Sequence, residues 1–269
     1  MSELNTPLDT THWRFQPATD LLKGKTILVT GAGDGIGATL SKTIALLGGD
    51  VVLVGRTRSK LEAVFDWIED NTATSPVIVP CDLAALTTDA VAALHEAIEG
   101  TYGKLDGIVH NASALGPKIP IAHFPHDQWT EIMQVNINAP FMLTQGLYTL
   151  LDAGHEATVI FVSSSVGREG RAYWGAYSAS KFALEGLNQI LADETETAGN
   201  IRVYSINPGA TRTAMRRSAY PNEDPESVPP PEAHMDLFTF LLAGKAHGEE
   251  LPETGSQLDS RTWRKPAEV

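Results

Sequence analysis

The run TILVT at Thr26–Thr30 leads directly into the glycine-rich stretch GAGDGIG at residues 31–37, and a helical pattern continues over residues 36–47. Short apolar β-rich runs favour a strand, and glycines allow a tight turn after it. The N–H groups that open a helix attract a phosphate. This order predicts a dinucleotide site. Its glycine spacing is G-x-x-x-G-x-G, not G-x-G-x-x-G, and the Gly-Lys-Ser/Thr end of a P-loop is absent from the stretch.

Outward from this stretch, apolar runs alternate with helical patterns. Further strands are predicted at residues 51–54, 77–79, 107–110, 158–163 and 201–206, with a short edge strand within 254–259. Helices are predicted at residues 59–69, 87–102, 126–151 and 174–197, with a shorter one at 233–242. Uninterrupted apolar strands are typical of a parallel sheet that helices cover. The sequence therefore predicts an α/β fold, a Rossmann-type doubly wound parallel sheet of about seven strands with helices on both faces.

The pattern favours a single domain over residues 23–269, preceded by an N-terminal extension at residues 1–22. Residues 220–231 (YPNEDPESVPPP) contain five prolines, which exclude a helix or a central strand there. This stretch lies within residues 210–245, which we predict to form a substrate loop or lid.

Composition excludes several classes of function. The chain has 269 residues and a formal net charge of −13, from 33 acidic and 20 basic residues, which disfavours nucleic acid and anionic membranes as partners. Cys81 is the only cysteine, and the eight histidines show no metal-ligand spacing, so neither a disulfide nor a metal is predicted. No signal-peptide pattern or membrane-spanning run is found. With the single thiol, this predicts a cytoplasmic protein.

The end of the second strand indicates which cofactor binds. An acidic residue at this place would hold the ribose 2′-hydroxyl of NAD, but the stretch GRTR at residues 55–58 contains Arg56 and Arg58 instead. Guanidinium groups suit the 2′-phosphate of NADP. NADP(H) is therefore preferred, with NAD(H) as the second possibility. Two solvated arginines at the start of a helix are the alternative interpretation.

A tyrosine and a lysine four residues apart open the helix predicted at 174–197. The spacing of Tyr177 and Lys181 places both side chains on one helical face. A free tyrosine has a pKa of about 10, and a nearby ammonium would lower it toward the neutral range. Ser164 ends the preceding strand, where ligands bind in open α/β sheets. Each feature also has an interpretation without function. A tyrosine–lysine pair with this spacing can occur on any helix, and a serine after a strand can simply form a turn.

Together these motifs resemble the short-chain dehydrogenase/reductase family. The turn from Thr30 matches the cofactor turn of that family, and Ser164 precedes Tyr177 by the usual thirteen positions. Further segments resemble family elements at Cys81-Asp82-Leu83, His110-Asn111-Ala112-Ser113, Val135-Asn136-Ile137 and from Asn207-Pro208-Gly209 to Thr213. Of these, His110-Asn111-Ala112-Ser113 carries serine where the family usually has glycine. The resemblance spans about residues 23–215, and residues 163–181 and 207–215 are more narrowly similar to the YciK-like oxidoreductases.

The resemblance implies a mechanism for four catalytic residues. Ser164 would orient and polarise a carbonyl or alcohol, and Tyr177 would donate or accept the proton. Lys181 would lower the pKa of the tyrosine and bind the nicotinamide ribose. Asn136 would distort its helix and hold a water in a proton relay to Lys181. Hydride would pass directly between the nicotinamide and the substrate carbon.

The local patterns and the resemblance together predict a set of cofactor-binding residues. These are Gly31, Gly33, Asp34, Gly35, Ile36, Gly37, Arg56, Thr57, Arg58, Asp82, Leu83, Asn111, Ala112, Tyr177, Lys181, Pro208, Gly209, Thr211 and Thr213.

Two alternatives stay open beside a carbonyl reductase or alcohol dehydrogenase. A non-catalytic NADP(H)-binding redox sensor would not need the complete catalytic set. An epimerase- or dehydratase-type relative shares the tyrosine–lysine pair but differs in its glycine turn. The partner is predicted to be a small carbonyl or alcohol of unassigned identity. The resemblance also implies a homodimer or homotetramer, because the long helices at 126–151 and 174–197 commonly pair across a two-fold axis in this family.

Overall fold

In the computed structural model, which describes residues 8–154 and 156–263, seven strands form one parallel sheet. They are β1 (Thr26–Thr30), β2 (Asp50–Gly55), β3 (Val77–Pro80), β4 (Gly107–His110), β5 (Ala157–Val162), β6 (Ile201–Asn207) and β7 (Gln257–Asp259). Their spatial order is β3-β2-β1-β4-β5-β6-β7. The winding direction changes between β1 and β4, which opens a crevice at the carboxyl ends of these strands.

Helices cover both faces of the sheet. Those of the described residues are α1 (Gly35–Leu46), α2 (Arg58–Asn71), α3 (Thr88–Tyr102), α4 (His126–Met133), α5 (Ala139–Gly146), α6 (Tyr148–Asp152), α7 (Gly175–Glu196), α8 (Ala214–Ala219), α9 (Met235–Ala243) and α10 (Ser260–Trp263). Apolar residues of α1, α2 and α9 form one hydrophobic cluster, and those of α3, α5, α6 and α7 form another. None of these helices is both long and apolar enough to cross a bilayer.

The strands alternate between these two clusters. In β1, Ile27 and Val29 belong to the first cluster and Leu28 to the second, and every residue of the strand is buried. Burial on both faces explains why the strands are uninterrupted apolar runs. The predicted Rossmann-type doubly wound sheet is confirmed, and the predicted edge strand is β7, which pairs with β6.

The prediction of one continuous helix over residues 126–151 is wrong. α4 ends at Met133, a π-helical segment occupies Gln134–Asn138, and α5 begins at Ala139. A second break at Leu147 separates α5 from α6. The apolar pattern does not reveal the π segment, because a single π turn widens a helix without ending it.

The segments outside the strand–helix repeat pack onto the same core. Trp13, Phe15 and Leu22 are buried in the cluster that contains α1 and α9. The backbone N–H of Arg14 donates to Asp236 at the start of α9, 2.8 Å away. In the predicted lid region, the proline-rich stretch is irregular apart from a short 3-10 turn at Pro225–Ser227 and a second that begins at Pro231. The helix α8 just before it was not predicted.

Candidate active site

A cleft of about 660 Å³ lies at the carboxyl ends of β1, β4, β5 and β6. Most of the predicted cofactor residues line it: Gly31, Gly33, Asp34, Gly35, Ile36, Arg56, Thr57, Asp82, Leu83, Asn111, Ala112, Tyr177, Lys181, Pro208, Gly209, Thr211 and Thr213. Of the predicted site residues, Gly37, Arg58 and Asn136 do not line it. Gly37 packs against the glycine turn, Arg58 lies on the exposed side of α2, and Asn136 is buried in the π segment.

The glycine turn is shaped to hold an anion against α1. Gly31 has a φ of +69°, a backbone conformation that is strained for any residue with a side chain. A β-carbon on Gly37 would lie 2.2 Å from the carbonyl oxygen of Gly31, so Gly37 serves the packing of α1 against the turn. Asp34 precedes α1 without forming a side-chain cap. The N–H groups of the first helical turn are therefore left to bind a ligand in the cleft.

Hydrogen bonds fix the ends of β1 and β4 to each other beside this turn. The Thr30 hydroxyl accepts from the N–H groups of Asn111 and Ala112, each at 3.0 Å. The Asn111 amide in turn donates to the carbonyl oxygen of Thr30 at 2.9 Å. The side chain of Asn111 thus holds the walls of the crevice at a fixed separation.

The two predicted arginines differ in position. Arg56 lines the cleft together with Thr57. Arg58 lies outside it and pairs with Glu62 at 2.8 Å on the exposed side of α2, so its predicted contact with the cofactor finds no support. Lys60 was not predicted, although it lines the cleft and pairs with Asp34. Its place in the first turn of α2, just after the arginines that follow β2, was the signal available in the sequence.

The structure brings Ser164, Tyr177 and Lys181 together. Ser164 follows β5, and Tyr177 and Lys181 lie one turn apart on α7. The Ser164 hydroxyl faces that of Tyr177 closely enough to lower its pKa, against the effect of burial. The Lys181 Nζ donates to the carbonyl oxygen of Val162 at 2.7 Å and lies 5.6 Å from the centroid of the Tyr177 ring. One hydroxyl pair and one amine therefore meet at the end of β5.

Burial shifts the pKa values of Tyr177 and Lys181. It raises the pKa of Tyr177 to about 12, against the opposing effect of the Ser164 hydroxyl. This direction is opposite to the lowering that the sequence predicts. Burial also lowers the pKa of Lys181 to about 7, while the nearby carboxylate of Glu185 acts in the other direction. Near pH 7 the phenol is therefore protonated, and the amine is close to its midpoint.

The model of the short chain dehydrogenase family matches residues 25–224 of this protein. The chain belongs to the short-chain dehydrogenase family. The oxidoreductase YciK of Escherichia coli K12, which is described as uncharacterized, is 44% identical over 252 residues, covering 94% of this chain and 98% of that relative. This confirms the resemblance to the YciK-like oxidoreductases.

Solved structures of related short-chain dehydrogenases share the fold and contain cofactors. One from Shigella flexneri, complexed with NADP, is 43% identical, covers 91% of this chain and all of that chain, and has a TM-score of 0.86. One from Escherichia coli CFT073, complexed with NADPH, is 44% identical with the same coverage and TM-score. The uncapped start of α1 and the arginine at the end of β2 suit such a cofactor here.

In this short-chain dehydrogenase, the side chain of Asn136 is occupied by structural contacts. Its amide donates to the carbonyl oxygen of Ala114 at 2.9 Å and to the Ser180 hydroxyl at 3.0 Å. Its oxygen accepts from the N–H of Ala114 at 2.7 Å. Asn136 thus joins the loop after β4 to α7 through the π segment. This geometry favours a positioning role for the side chain, and the predicted water relay stays a prediction.

Beyond Tyr177 the cleft continues into the predicted substrate loop at residues 210–245, for which the sequence named a region but no individual site residues. This end is lined by Leu115, Trp174, Ala214, Met215, Arg216, Ala219 and Tyr220. Most of these residues belong to α8 and its flanks, where the irregular sequence gives no periodic signal. We take this end as the place for the substrate, since the glycine turn and Arg56 occupy the other end.

Proposed function

We propose that this short-chain dehydrogenase is an NADP(H)-dependent oxidoreductase that interconverts a carbonyl and an alcohol, with Tyr177 as general acid and base. The observation that carries the proposal is the convergence of Ser164, Tyr177 and Lys181 in the cleft. NADP(H), when bound, supplies or accepts the hydride. The protein contributes placement of the substrate and transfer of the proton.

Each of the three side chains has a definable part in this reaction. The Ser164 hydroxyl holds the substrate oxygen beside the phenol. The protonated Tyr177 gives its proton to that oxygen as a carbonyl is reduced, and takes it back when an alcohol is oxidised. Lys181, with a pKa of about 7, carries a proton part of the time at neutral pH. In its charged form it stabilises the phenolate that proton donation leaves behind.

The preference for NADP(H) is part of the proposal. Two similar proteins were solved with NADP or NADPH. In this chain, Arg56 and Lys60 line the same end of the cleft, and two cations suit a 2′-phosphate better than a ribose hydroxyl. NAD(H) binding, at lower affinity, stays a prediction.

The experiment that tests the proposal is the Tyr177→Phe substitution. The wild type is first screened for carbonyl-dependent oxidation of NADPH. For any substrate found, Tyr177→Phe is expected to lower kcat by about 10²- to 10⁴-fold, because it removes the proton donor. NADPH binding, followed by thermal stabilisation, is expected to stay close to that of the wild type. Tyr102→Phe on α3, outside the cleft, is the matched control.

Other outcomes point to the alternatives. A Tyr177→Phe variant with wild-type turnover would refute the proposed mechanism. NADPH binding without turnover of any carbonyl or alcohol in a broad panel would favour a redox sensor. Conversion of a substrate without net consumption of NADPH would favour an epimerase or dehydratase.

We further propose that the protein is a homodimer or homotetramer. Large apolar side chains are exposed on the helices expected to form the interface: Phe141 on α5, Tyr148 on α6, and Phe182 and Ile190 on α7. Covering these side chains in an interface would remove apolar surface from water, which favours association. The cytoplasmic location, like the domain limits at residues 22 and 23, stays a prediction.

A further inference from the structure

The substrate end of the cleft is built from aromatic rings that begin at the proton donor. The Trp174 ring centroid lies 5.7 Å from that of Tyr177 and 6.1 Å from that of Tyr220. Trp174 and Tyr220 both line the cleft. A continuous aromatic surface therefore runs from Tyr177 to the end of α8. Such a surface suits the apolar body of a ligand.

A lysine of the loop after β4 lies against this aromatic surface, beside the cleft and not among the residues that line it. The Lys118 Nζ lies 4.8 Å from the Trp174 centroid and 4.1 Å from the Tyr220 centroid. It also donates to the carbonyl oxygen of Ala219 at 3.1 Å. Within residues 8–154 and 156–263, Lys118 forms no salt bridge. Its positive charge is stabilised by two rings and a carbonyl, without a carboxylate.

An arginine lies on the same ring. The Arg216 Cζ is 3.8 Å from the Tyr220 centroid, and two of its N–H groups donate to the Glu223 carboxylate at 2.6 Å each. A guanidinium has five N–H donors, so the pair with Glu223 leaves some unused. Arg216 itself lines the cleft. Glu223 balances the charge of Arg216, and the charge of Lys118 remains as the local excess.

We propose that the substrate carries a carboxylate or a comparable anion beside an apolar or aromatic body, and that Lys118 and Arg216 bind this anion. The inference rests on the proposed function, because Tyr177 acts on the other end of the same molecule. A protein with a net charge of −13 repels anions at long range. A local excess of positive charge at the substrate end is the feature that an anionic substrate needs.

The test compares paired ligands that differ only in charge. Benzoate is compared with benzamide, and 2-naphthoate with 2-naphthamide, by calorimetric titration into the NADPH-saturated protein. The carboxylates are expected to bind about tenfold more tightly than the amides, the effect of one charge-assisted hydrogen bond. Equal affinities, or no binding of either carboxylate, would overturn the inference.

Substitutions test whether Lys118 and Arg216 cause the preference for carboxylates over amides. Lys118→Met is expected to bring the carboxylate-to-amide affinity ratio close to one, whereas Lys118→Arg is expected to keep it. Glu223→Gln is expected to raise the ratio, because it frees the Arg216 guanidinium. The matched control is Lys42→Met, since Lys42 also lies over a tryptophan ring, that of Trp67, but this ring does not line the cleft. An unchanged ratio in Lys118→Met and Glu223→Gln would mean that Lys118 only ties its loop to α8, and the inference would fail.

Thermal stabilisation by NADPH is read on every variant, so loss of the fold is not mistaken for loss of anion binding. The same measurements separate the inference from the proposed function. NADPH binding with Tyr177-dependent turnover of neutral carbonyls, but without carboxylate preference, would remove the inference and leave the function standing. Carboxylate preference without any turnover would remove the proposed function and leave only an anion-binding site beside the cleft.

Discussion

Tyr177 and Lys181 show how burial determines what a side chain can do. The sequence identifies both residues from their spacing, because residues four apart share a helical face. It cannot give their protonation, since desolvation depends on packing around α7 that no local pattern encodes. Burial keeps the phenol neutral and brings the amine to a pKa of about 7. At neutral pH these side chains are therefore poised to donate a proton, which suits reduction of a carbonyl.

Arg56 and Lys60 are expected to determine the cofactor preference. We expect Arg56→Ala and Lys60→Ala each to weaken NADPH binding by about tenfold and to leave NADH binding nearly unchanged, because only NADPH presents a 2′-phosphate. Thermal stabilisation by each cofactor measures the effect. Arg58→Ala is the matched control, since Arg58 pairs with Glu62 outside the cleft. Equal losses for NADPH and NADH would show that these cations do not bind the 2′-phosphate.

His110 is expected to make the protein sensitive to acid. The ring is fully buried, stacks on Phe161 and shares a 2.8 Å hydrogen bond with Thr144, and burial lowers its pKa to about 3. Between pH 6.5 and pH 3 the unfolded chain therefore binds a proton that the folded chain does not. Stability falls as pH decreases through this window, by about 2 kcal/mol between pH 7.5 and pH 5.

Urea unfolding at pH 7.5 and pH 5 tests this expectation. His110→Gln is expected to reduce the loss of stability between the two pH values by about 2 kcal/mol, even if its packing lowers stability at both. His95→Gln is the matched control, because His95 makes a similar hydrogen bond to Thr149 in a position that is only partly buried. An identical pH dependence in His110→Gln and the wild type would contradict the argument.

At the scale of elements, the π segment shows what periodicity can and cannot predict. The strands and most helices follow from apolar patterns, since burial on one or two faces imposes a period on the sequence. The interruption of the predicted helix 126–151 leaves that pattern intact, so the resemblance of Val135-Asn136-Ile137 to a family motif was its only signal. α8 is too short and too irregular in its surroundings to give a pattern. The sequence therefore predicts a substrate loop at residues 210–245, but neither α8 nor the individual residues that line the substrate end of the cleft.

The π segment yields a prediction about Asn136. Asn136→Ala removes three buried hydrogen bonds to Ala114 and Ser180, so we expect a loss of about 2–4 kcal/mol in the free energy of unfolding. We also expect a lower kcat with a pH–rate profile of unchanged shape, because the residue acts by positioning the loop after β4. Asn138→Ala, in the same segment but exposed, is expected to change stability by less than about 0.5 kcal/mol. A shifted pH–rate profile in Asn136→Ala would instead support the proton relay.

At the scale of the whole molecule, charge and apolar surface act in opposite directions on self-association. Each copy carries a net charge of −13, and like charges repel over about 10 Å at an ionic strength of 0.1 M. The exposed apolar side chains of α5, α6 and α7 favour association, because covering them removes apolar surface from water. Salt screens the repulsion and leaves the apolar attraction in place. An oligomer formed through these helices is therefore expected to strengthen as ionic strength rises.

Light scattering after size-exclusion chromatography tests this expectation directly. We expect a mass of at least twice the 28.9 kDa of one chain. On α7, Phe182 and Ile190 are 45% and 57% exposed, and Phe182→Lys combined with Ile190→Lys is expected to shift the mass toward that of a monomer. Each substitution places a charge in the interface without disturbing a buried side chain. The control is Ile121→Lys, at a site 72% exposed but outside these helices. A wild-type monomer at micromolar concentration and 0.3 M salt would exclude this interface, because screening of the repulsion leaves only the apolar contact to decide the outcome.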